Sequence, residues 1–452
     1  MPDGFGSELR RLLRLAGPIV VSQLAAVGMN TADTIMVGPL GPVALAAVGV
    51  GSAIHVFLVL LFSGVLVGIS PLVSHAFGRG DATECRQVMI QGLWLAVLLS
   101  IPVAIVSYYG GWVARVLGQD AAVAALAGEY TRALAPGVTP FFLFFALRTF
   151  LEAMGIARPS MAFAFLGLAV NILFNWLLIY GVDGVIPALG AAGTGWATTI
   201  VRWSMLAAIL GYVLLRRELR AFAAPRRVPD RQRIADITRV GTPIGAQLAL
   251  EVGLFAFAAI MMGWLGPVEL AAHQVTINLA ATTFMVALGT SQAGSILVGQ
   301  HIGAARPDAV GRAVAATYTV AVGAMAIFAV LFVVAPGFLI GLYTPNEAIV
   351  DVATRLLLIA AAFQVFDGAQ VAGISVLRGA ADTRVPMNIA AIGYWGVGVP
   401  VAYLLAFALP VGYGPVGIWI GLSIALAVVA VLLGFRVRGM LRRVRDALEH
   451  AA

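Results

Sequence analysis

The chain has 452 residues, 61% of them hydrophobic and only 11% charged, with a formal net charge of +7 and a mean hydropathy of +0.97. A soluble globular protein carries about 25% charged residues, and no soluble core could hide the apolar stretches that recur from Ala16 to Phe435. Soluble enzymes, nucleic-acid binders and disulfide-stapled secreted domains are excluded, and the chain reads as a polytopic membrane protein. All 28 basic residues are Arg, clustered in short segments between apolar runs, as cytoplasmic loops of membrane proteins are. Cys85 is the single cysteine, so neither an intramolecular disulfide nor a cysteine metal cluster is expected.

A spanning helix needs about 20 mostly apolar residues, and that ruler places twelve spans. The first, near 15–37, follows Arg10, Arg11 and Arg14 and is interrupted by Gln23, Asn30 and Asp33, which with its length argues against a cleaved signal peptide. The second lies near 48–74 and holds His55, the third near 89–112 and the fourth near 132–153. The fifth, 161–181, carries Asn171 and Asn175 four apart and so on one helix face. The sixth, 191–215, contains Thr198 and Arg202. An Arg-rich connector over 216–237 precedes spans near 238–262, 273–298, 313–337, 353–376, 386–408 and 414–435.

Counting Arg by loop puts 24 of the 28 on one side, leaving Arg115, Arg132, Arg202 and Arg355 elsewhere. Both termini are therefore expected in the cytoplasm, and the absence of a targeting segment fits a bacterial inner membrane. The loop set includes Arg148, Arg378 and Arg384.

The halves repeat. A shift of 225 carries Pro18 onto Pro243, Leu40-Gly41-Pro42 onto Leu265-Gly266-Pro267 and Gly78 onto Gly303, and a slightly larger one carries Leu147-Arg148 onto Leu377-Arg378. Six spans per repeat send both halves into the membrane in the same direction, which makes a parallel repeat with a pseudo-twofold axis along the membrane normal and a site expected between the halves. The fold expected is an all-α membrane protein of twelve transmembrane helices in two lobes, 1–215 and 238–452, joined by the connector. Such duplicated architecture is characteristic of transporters.

Three acidic residues sit well inside spans: Asp33 in the first, Glu251 in the seventh and Asp367 in the tenth. Intramembrane charge is expensive and usually functional. A carboxylate there takes a proton, binds a hard cation such as Na⁺ alongside neutral oxygens, or holds a cationic substrate. By the 225 shift Glu251 corresponds to Ala26, two turns before Asp33, so the two acids are expected on the same face of equivalent helices. Asn171, Asn175, Asn278 and, more weakly, Thr198 are the neutral oxygens at hand. Arg202 is expected either to be a counter-ion for one of the acids or, the preferred reading, to snorkel toward an interface; His55 and His273 are expected to be packing histidines, and His75, His301 and His450 uninformative loop or tail residues. Interior prolines, Pro18 and Pro243 above all, suggest bends. Phe255, Phe257, Met261, Met262, Phe284 and Met285 could line an adaptable cavity. No Walker loop, zinc-protease run or nucleophile elbow appears, so no enzyme is expected.

Four stretches carry a resemblance. Asn30 to Gly38 (NTADTIMVG), Asn171 to Gly181 (NILFNWLLIYG), Ala271 to Asn278 (AAHQVTIN), and Asp367 to Val371 (DGAQV) with Leu377 to Ala380 (LRGA) resemble the first, fifth, eighth and tenth helices of the multidrug and toxic compound extrusion (MATE) family. Glu251 and Asp367 match the acidic pair of its NorM-type branch. The resemblance implies antiport of cationic and amphipathic drugs against Na⁺ or H⁺ by alternating access. Glu251 and Asp367, with Asn278, would hold the ion in the C-terminal half, and Asp33, Asn171 and Asn175 would form the polar site of the N-terminal half. Asp33, Phe255, Phe284 and Met285 would face the substrate. Some members carry a Tyr one turn before the tenth-helix Asp, where Phe363 stands here, so a phenolic oxygen is missing at that position. No cofactor and no metal beyond Na⁺ is implied. The partners expected are small cationic drugs and membrane lipids, and the chain is expected to be monomeric. The alternative is a lipid-linked oligosaccharide or phospholipid flippase, which would favour a basic cavity.

Overall fold

A computed structural model of the chain describes residues 4–216, 228–409 and 412–449. Among the described residues, twelve helices are long and apolar enough to cross a membrane: α1 (Phe5–Leu40), α2 (Pro42–Gly78), α3 (Ala82–Tyr108), α4 (Ala121–Ala153), α5 (Arg158–Tyr180), α6 (Ala191–Leu215), α7 (Arg231–Leu265), α8 (Pro267–Gly303), α9 (Pro307–Val334), α10 (Glu347–Gly379), α11 (Arg384–Ala408) and α12 (Gly414–Asp446). Each expected span is one of them. The helices overrun the expected ends because their terminal turns are amphipathic: α1 begins at Phe5, well before its apolar stretch, and α10 runs through Arg378 to Gly379. Pro18 and Pro243 lie inside α1 and α7, which stay helical through them. Of the connector expected at 216–237, residues 217–227, with Arg217, Arg220, Arg226 and Arg227, lie outside the described residues, as does His450, whereas Arg231, Arg233 and Arg239 belong to α7.

The compact units do not follow the chain halves. One comprises Met1–Val20 with Ala246–Ala452, the other Val21–Gly245. The divisions fall inside α1 and α7 rather than at the connector, so the expected boundaries at 215 and 238 are not where the packing divides. Local sequence gives the reason. In the N-terminal unit, Gly241 of α7 lets its backbone cross the Val65 carbonyl so closely that any Cβ would collide with it. In the C-terminal unit, a Cβ on Gly289 of α8 would lie 2.9 Å from Val20 Cα. The first part of each helix is thus held in the unit of the other half. Val21 and Ala246, where the two divisions fall, are 225 apart, as the repeat requires.

Two further features keep the register. Short helices Gly110–Val116 and Pro336–Gly341 occupy corresponding places after α3 and α9. The ends of α2 and α4 close with Gly80 (φ 76°) and Gly155 (φ 84°), and the corresponding ends of α8 and α10 with Ala305 (φ 54°) and Ala381 (φ 58°). All four ends show the paired 6→1 and 5→2 hydrogen bonds that finish a helix on a left-handed residue, such as Arg306 N to His301 O at 3.0 Å and Ala305 N to Ile302 O at 3.1 Å.

Within the N-terminal unit, α2, α3, α4 and α6 enclose a core of Leu66, Ile69, Val103, Phe142, Phe150 and Leu151. In the C-terminal unit, α10 is central, packed against α8, α9 and α12. The polar residues of its second half, Gln364, Asp367, Gln370, Ser375 and Arg378, are therefore enclosed by protein, whereas Asp351 and Arg355 near its start are exposed.

Candidate functional site

Each unit holds one polar cluster built around the acids expected from sequence. In the C-terminal unit, α7 turns Gln247 and Glu251 to one face by their four-residue spacing, and α10 does the same with Gln364, Asp367 and Gln370 at three-residue spacing. Gln247 Nε2 donates to Glu251 Oε2 at 3.3 Å. Gln370 Nε2 lies 3.3 Å from Asp367 Oδ1 and 3.5 Å from Glu251 Oε1, so one amide serves both carboxylates. Its oxygen accepts from the Tyr394 hydroxyl at 2.5 Å. Gln364, Asp367, Gln370 and Tyr394 are all buried, and Gln364 donates to Thr283 Oγ1.

Tyr394 comes from a π-helical stretch of α11, Ile392–Gly398. A widened turn of this kind re-aims side chains and recurs at functional sites. The phenolic oxygen missing at Phe363 thus reaches the same cluster from α11. Phe363 itself is enclosed, with ring centroids 6.1 Å from Phe255 and 5.5 Å from Trp419. His273 packs on Trp419 at 5.8 Å.

Arg378, expected in a loop, is instead buried in the last turn of α10. Its Nη2 lies 3.5 Å from Gln247 Oε1, its charge reaches Glu251, and its Nε has no hydrogen-bond partner among the described residues. Turned toward an anion, its side chain offsets part of the cost of burying Glu251.

The remaining expected residues of this half stand apart. Asn278 is exposed and donates to Gln274 O of its own helix, 2.8 Å away, so the structure does not bring it to Glu251 and Asp367. Phe284 packs against Ala287, Ala321, Met325, Val371 and Ala372, and Met285 is half-buried.

In the N-terminal unit, Asp33 Oδ1 accepts from Asn171 Nδ2 at 2.9 Å and from Asn175 Nδ2 at 2.6 Å. The side-chain oxygens of both asparagines are buried with no hydrogen-bond partner among the described residues, so neutral oxygens lie next to a carboxylate. Tyr180 OH donates to Met36 O at 2.7 Å and ties α5 to α1 just beyond. Arg202 does not snorkel: its charge reaches Asp33, its Nη2 lies 2.9 Å from His55 Nε2, and its guanidinium sits 5.1 Å above the Phe141 ring. A guanidinium only donates, so His55 Nε2 accepts and Nδ1 carries the proton, donating to Ser107 Oγ at 2.9 Å. Thr198 Oγ1 has no partner among the described residues.

The two acids on equivalent helices do not meet equivalent partners. Asp33 of α1 faces α5, whereas Glu251 of α7 faces α10. Their seven-residue displacement is about 10 Å along a helix axis, which sets them beside different neighbours. His301, read as uninformative, is buried and holds Glu8 Oε1 at 2.8 Å. Among the described residues no three His, Cys, Asp or Glu side chains converge as a metal-ion cluster.

Comparison with known proteins matches a family model described as MatE to residues 18–177 and again to 243–404, the second match starting 225 residues after the first. Over 436 residues the chain is 40% identical to the "Probable multidrug resistance protein NorM" of Mesorhizobium japonicum, covering 94% of this chain and 92% of that one. It is 37% identical to the protein of the same description from Pseudomonas putida, covering 97% and 96%. Among solved structures, the eukaryotic MATE transporter AtDTX14 superposes with a TM-score of 0.88 at 22% identity, covering 99% of this chain and all of that one. A structure described as the outward-facing conformation of a multidrug resistance MATE family transporter of the MOP superfamily superposes with 0.87 at 21% identity, covering 97% and 96%.

Proposed function

From the premise that this multi-pass chain belongs to the MatE family, we propose that it is a multidrug efflux transporter of the bacterial inner membrane, exporting cationic and amphipathic drugs in exchange for Na⁺ or H⁺. The NorM-type names of relatives at 33–40% identity support drug export. The observation that carries the coupling is the shared amide: Gln370 within 3.5 Å of both Glu251 and Asp367, in a buried cluster.

In this reading a cation entering at Glu251 and Asp367 neutralises the carboxylates and disfavours a bound cationic drug, which leaves outward. The ion accompanies the return in an alternating-access cycle. The coupling is reciprocal, because drug and ion draw on the same negative charge. Each elementary charge crossing about 100 mV contributes about 2.3 kcal/mol, enough for one ion to drive concentrative export. Asp33 with Asn171 and Asn175 supplies a second polar site. The chain works without an organic cofactor and catalyses no covalent step. The flippase reading would favour unmatched basic charge in the interior. Here the charge of Arg202 reaches Asp33 and that of Arg378 reaches Glu251, so each has an anion to match it.

The test uses proteoliposomes loaded with a fluorescent cationic drug. A Na⁺ gradient at fixed pH, or a pH gradient without Na⁺, should move the drug, and E251Q and D367N should each abolish movement while the protein stays folded. Full activity in both variants, or no movement under either gradient, would reject the reading.

A further inference from the structure

Where α1 and α9 begin and α12 ends, the C-terminal unit holds a recess of about 390 Å³ lined by Phe5, Asp308, Arg312, Leu441, Arg442 and Arg445 among others. Three guanidinium groups face one carboxylate there. Among the residues whose side chains are described, no carboxylate pairs with Arg312, Arg442 or Arg445; the nearby Arg436 and Arg443 share Asp382 instead. Arg312 Nε is buried and has no hydrogen-bond partner among the described residues. Its charge also reaches Glu8, but that carboxylate is taken by His301 at 2.8 Å. The first turn of α9 has no side-chain cap, which adds partial positive charge at the same place.

At the corresponding start of α7 beside α3 in the other unit, the local charge is paired within the chain. There Arg233 Nη1 lies 2.7 Å from both Glu84 oxygens, so its charge is matched within the chain. In the recess the positive excess is left for an anion from outside. Guanidinium forks fit phosphate oxygens in pairs, and basic pockets between transmembrane helices at the cytoplasmic face seat anionic headgroups. Phe5, 42% exposed, and Leu441 give the recess an apolar edge.

We propose that this recess binds a phosphate group through Arg312, Arg442 and Arg445, presented by an anionic phospholipid headgroup or as a free phosphate anion. The apolar edge suits the lipid, whose chains would lie along Phe5 and Leu441.

The test is thermal unfolding of the purified full chain in a neutral detergent, followed by tryptophan fluorescence. Short-chain phosphatidylglycerol, the zwitterionic phosphatidylcholine of the same length, and inorganic phosphate are titrated at constant ionic strength. Phosphatidylglycerol should raise the midpoint saturably and phosphatidylcholine should not. Arg442 and Arg445 are exposed, so R442Q and R445Q leave the fold intact, and each should weaken the apparent affinity about fivefold. D308N should strengthen it, a gain that a folding defect does not produce. The same saturable rise and variant pattern with inorganic phosphate alone would assign the site to the free anion. No saturable rise with either phosphatidylglycerol or phosphate, equal rises with the two lipids, or an affinity unmoved in all three variants would overturn the proposal.

Discussion

The Tyr394 hydroxyl holds the Gln370 side-chain oxygen at 2.5 Å, and the nitrogen of the same amide lies within 3.5 Å of Glu251 and Asp367. An amide held by its oxygen must present its two N–H donors on the other side. A phenol on α11 thereby orients the amide of α10 toward acids on α7 and α10. Tyr394 is a positioning residue for both.

Y394F should stay folded but lose stability, because it leaves the Gln370 oxygen buried and unpaired at a cost of about 1–3 kcal/mol. With the amide free to turn, the cation concentration for half-maximal drug movement should rise about tenfold, the equivalent of about 1.4 kcal/mol, with the maximal rate less affected. A cation titration in proteoliposomes checks this; an unchanged half-maximal concentration would count against the positioning role.

Asp33 offers a cleaner separation of charge from shape. Asn in its place keeps an oxygen that accepts from Asn171 and Asn175, now at 2.9 and 2.6 Å. D33N should therefore hold its unfolding midpoint to within about 1 kcal/mol while cationic drug transport falls by at least about tenfold. Paired unfolding and transport assays decide it, and normal transport in D33N would remove Asp33 from the mechanism.

Glu8 and His301, 2.8 Å apart and both buried, should be energetically coupled. A double-mutant cycle of E8Q and H301Q, read by denaturant unfolding in detergent, is expected to give about 1.5–3 kcal/mol. Strict additivity would mean that the contact contributes packing alone.

G241A should cost about 3 kcal/mol or more, because its Cβ meets the Val65 carbonyl and neither backbone can yield. Gly323, inside α9 with nothing within 4 Å of an added Cβ, is the control. There, alanine should stabilise by up to about 1 kcal/mol. Two Gly→Ala changes of opposite sign are measured in one set of melts.

Ala305 and Ala381 hold left-handed backbone where the other half of the repeat has Gly80 and Gly155. An L-residue there costs about 1–2 kcal/mol, so A305G and A381G should each raise the unfolding midpoint, by about 1 kcal/mol after the entropy of glycine is counted. A fall in either would mean that the methyl group makes a contact worth more than the strain.

The spans were legible because a bilayer imposes a length and an apolar composition that few other constraints imitate. The acids were legible because charge is rare there, and Asn171 with Asn175 because four residues bring side chains onto one face. Gln247, Gln370 and Tyr394 were not, since neutral polar residues in a bundle carry no comparable signal and their contacts join distant helices. Spacing held a trace of them: Gln247 stands four before Glu251 and Gln370 three after Asp367. Arg378 was misread because hydropathy falls at an arginine whether its side chain turns outward or, as here, toward a half-buried acid of the same unit. Arg202 needed His55, 147 positions away, to explain it.

The divisions inside α1 and α7 bear on how such a chain arose. If one half is imagined alone, its first helix begins in a unit that the half does not complete. Two copies would supply each other's missing piece by exchanging those helix starts, as in a domain-swapped dimer. Fusion of the copies would keep the exchange and make it permanent, so that neither half of the present chain, expressed without the other, holds a whole unit.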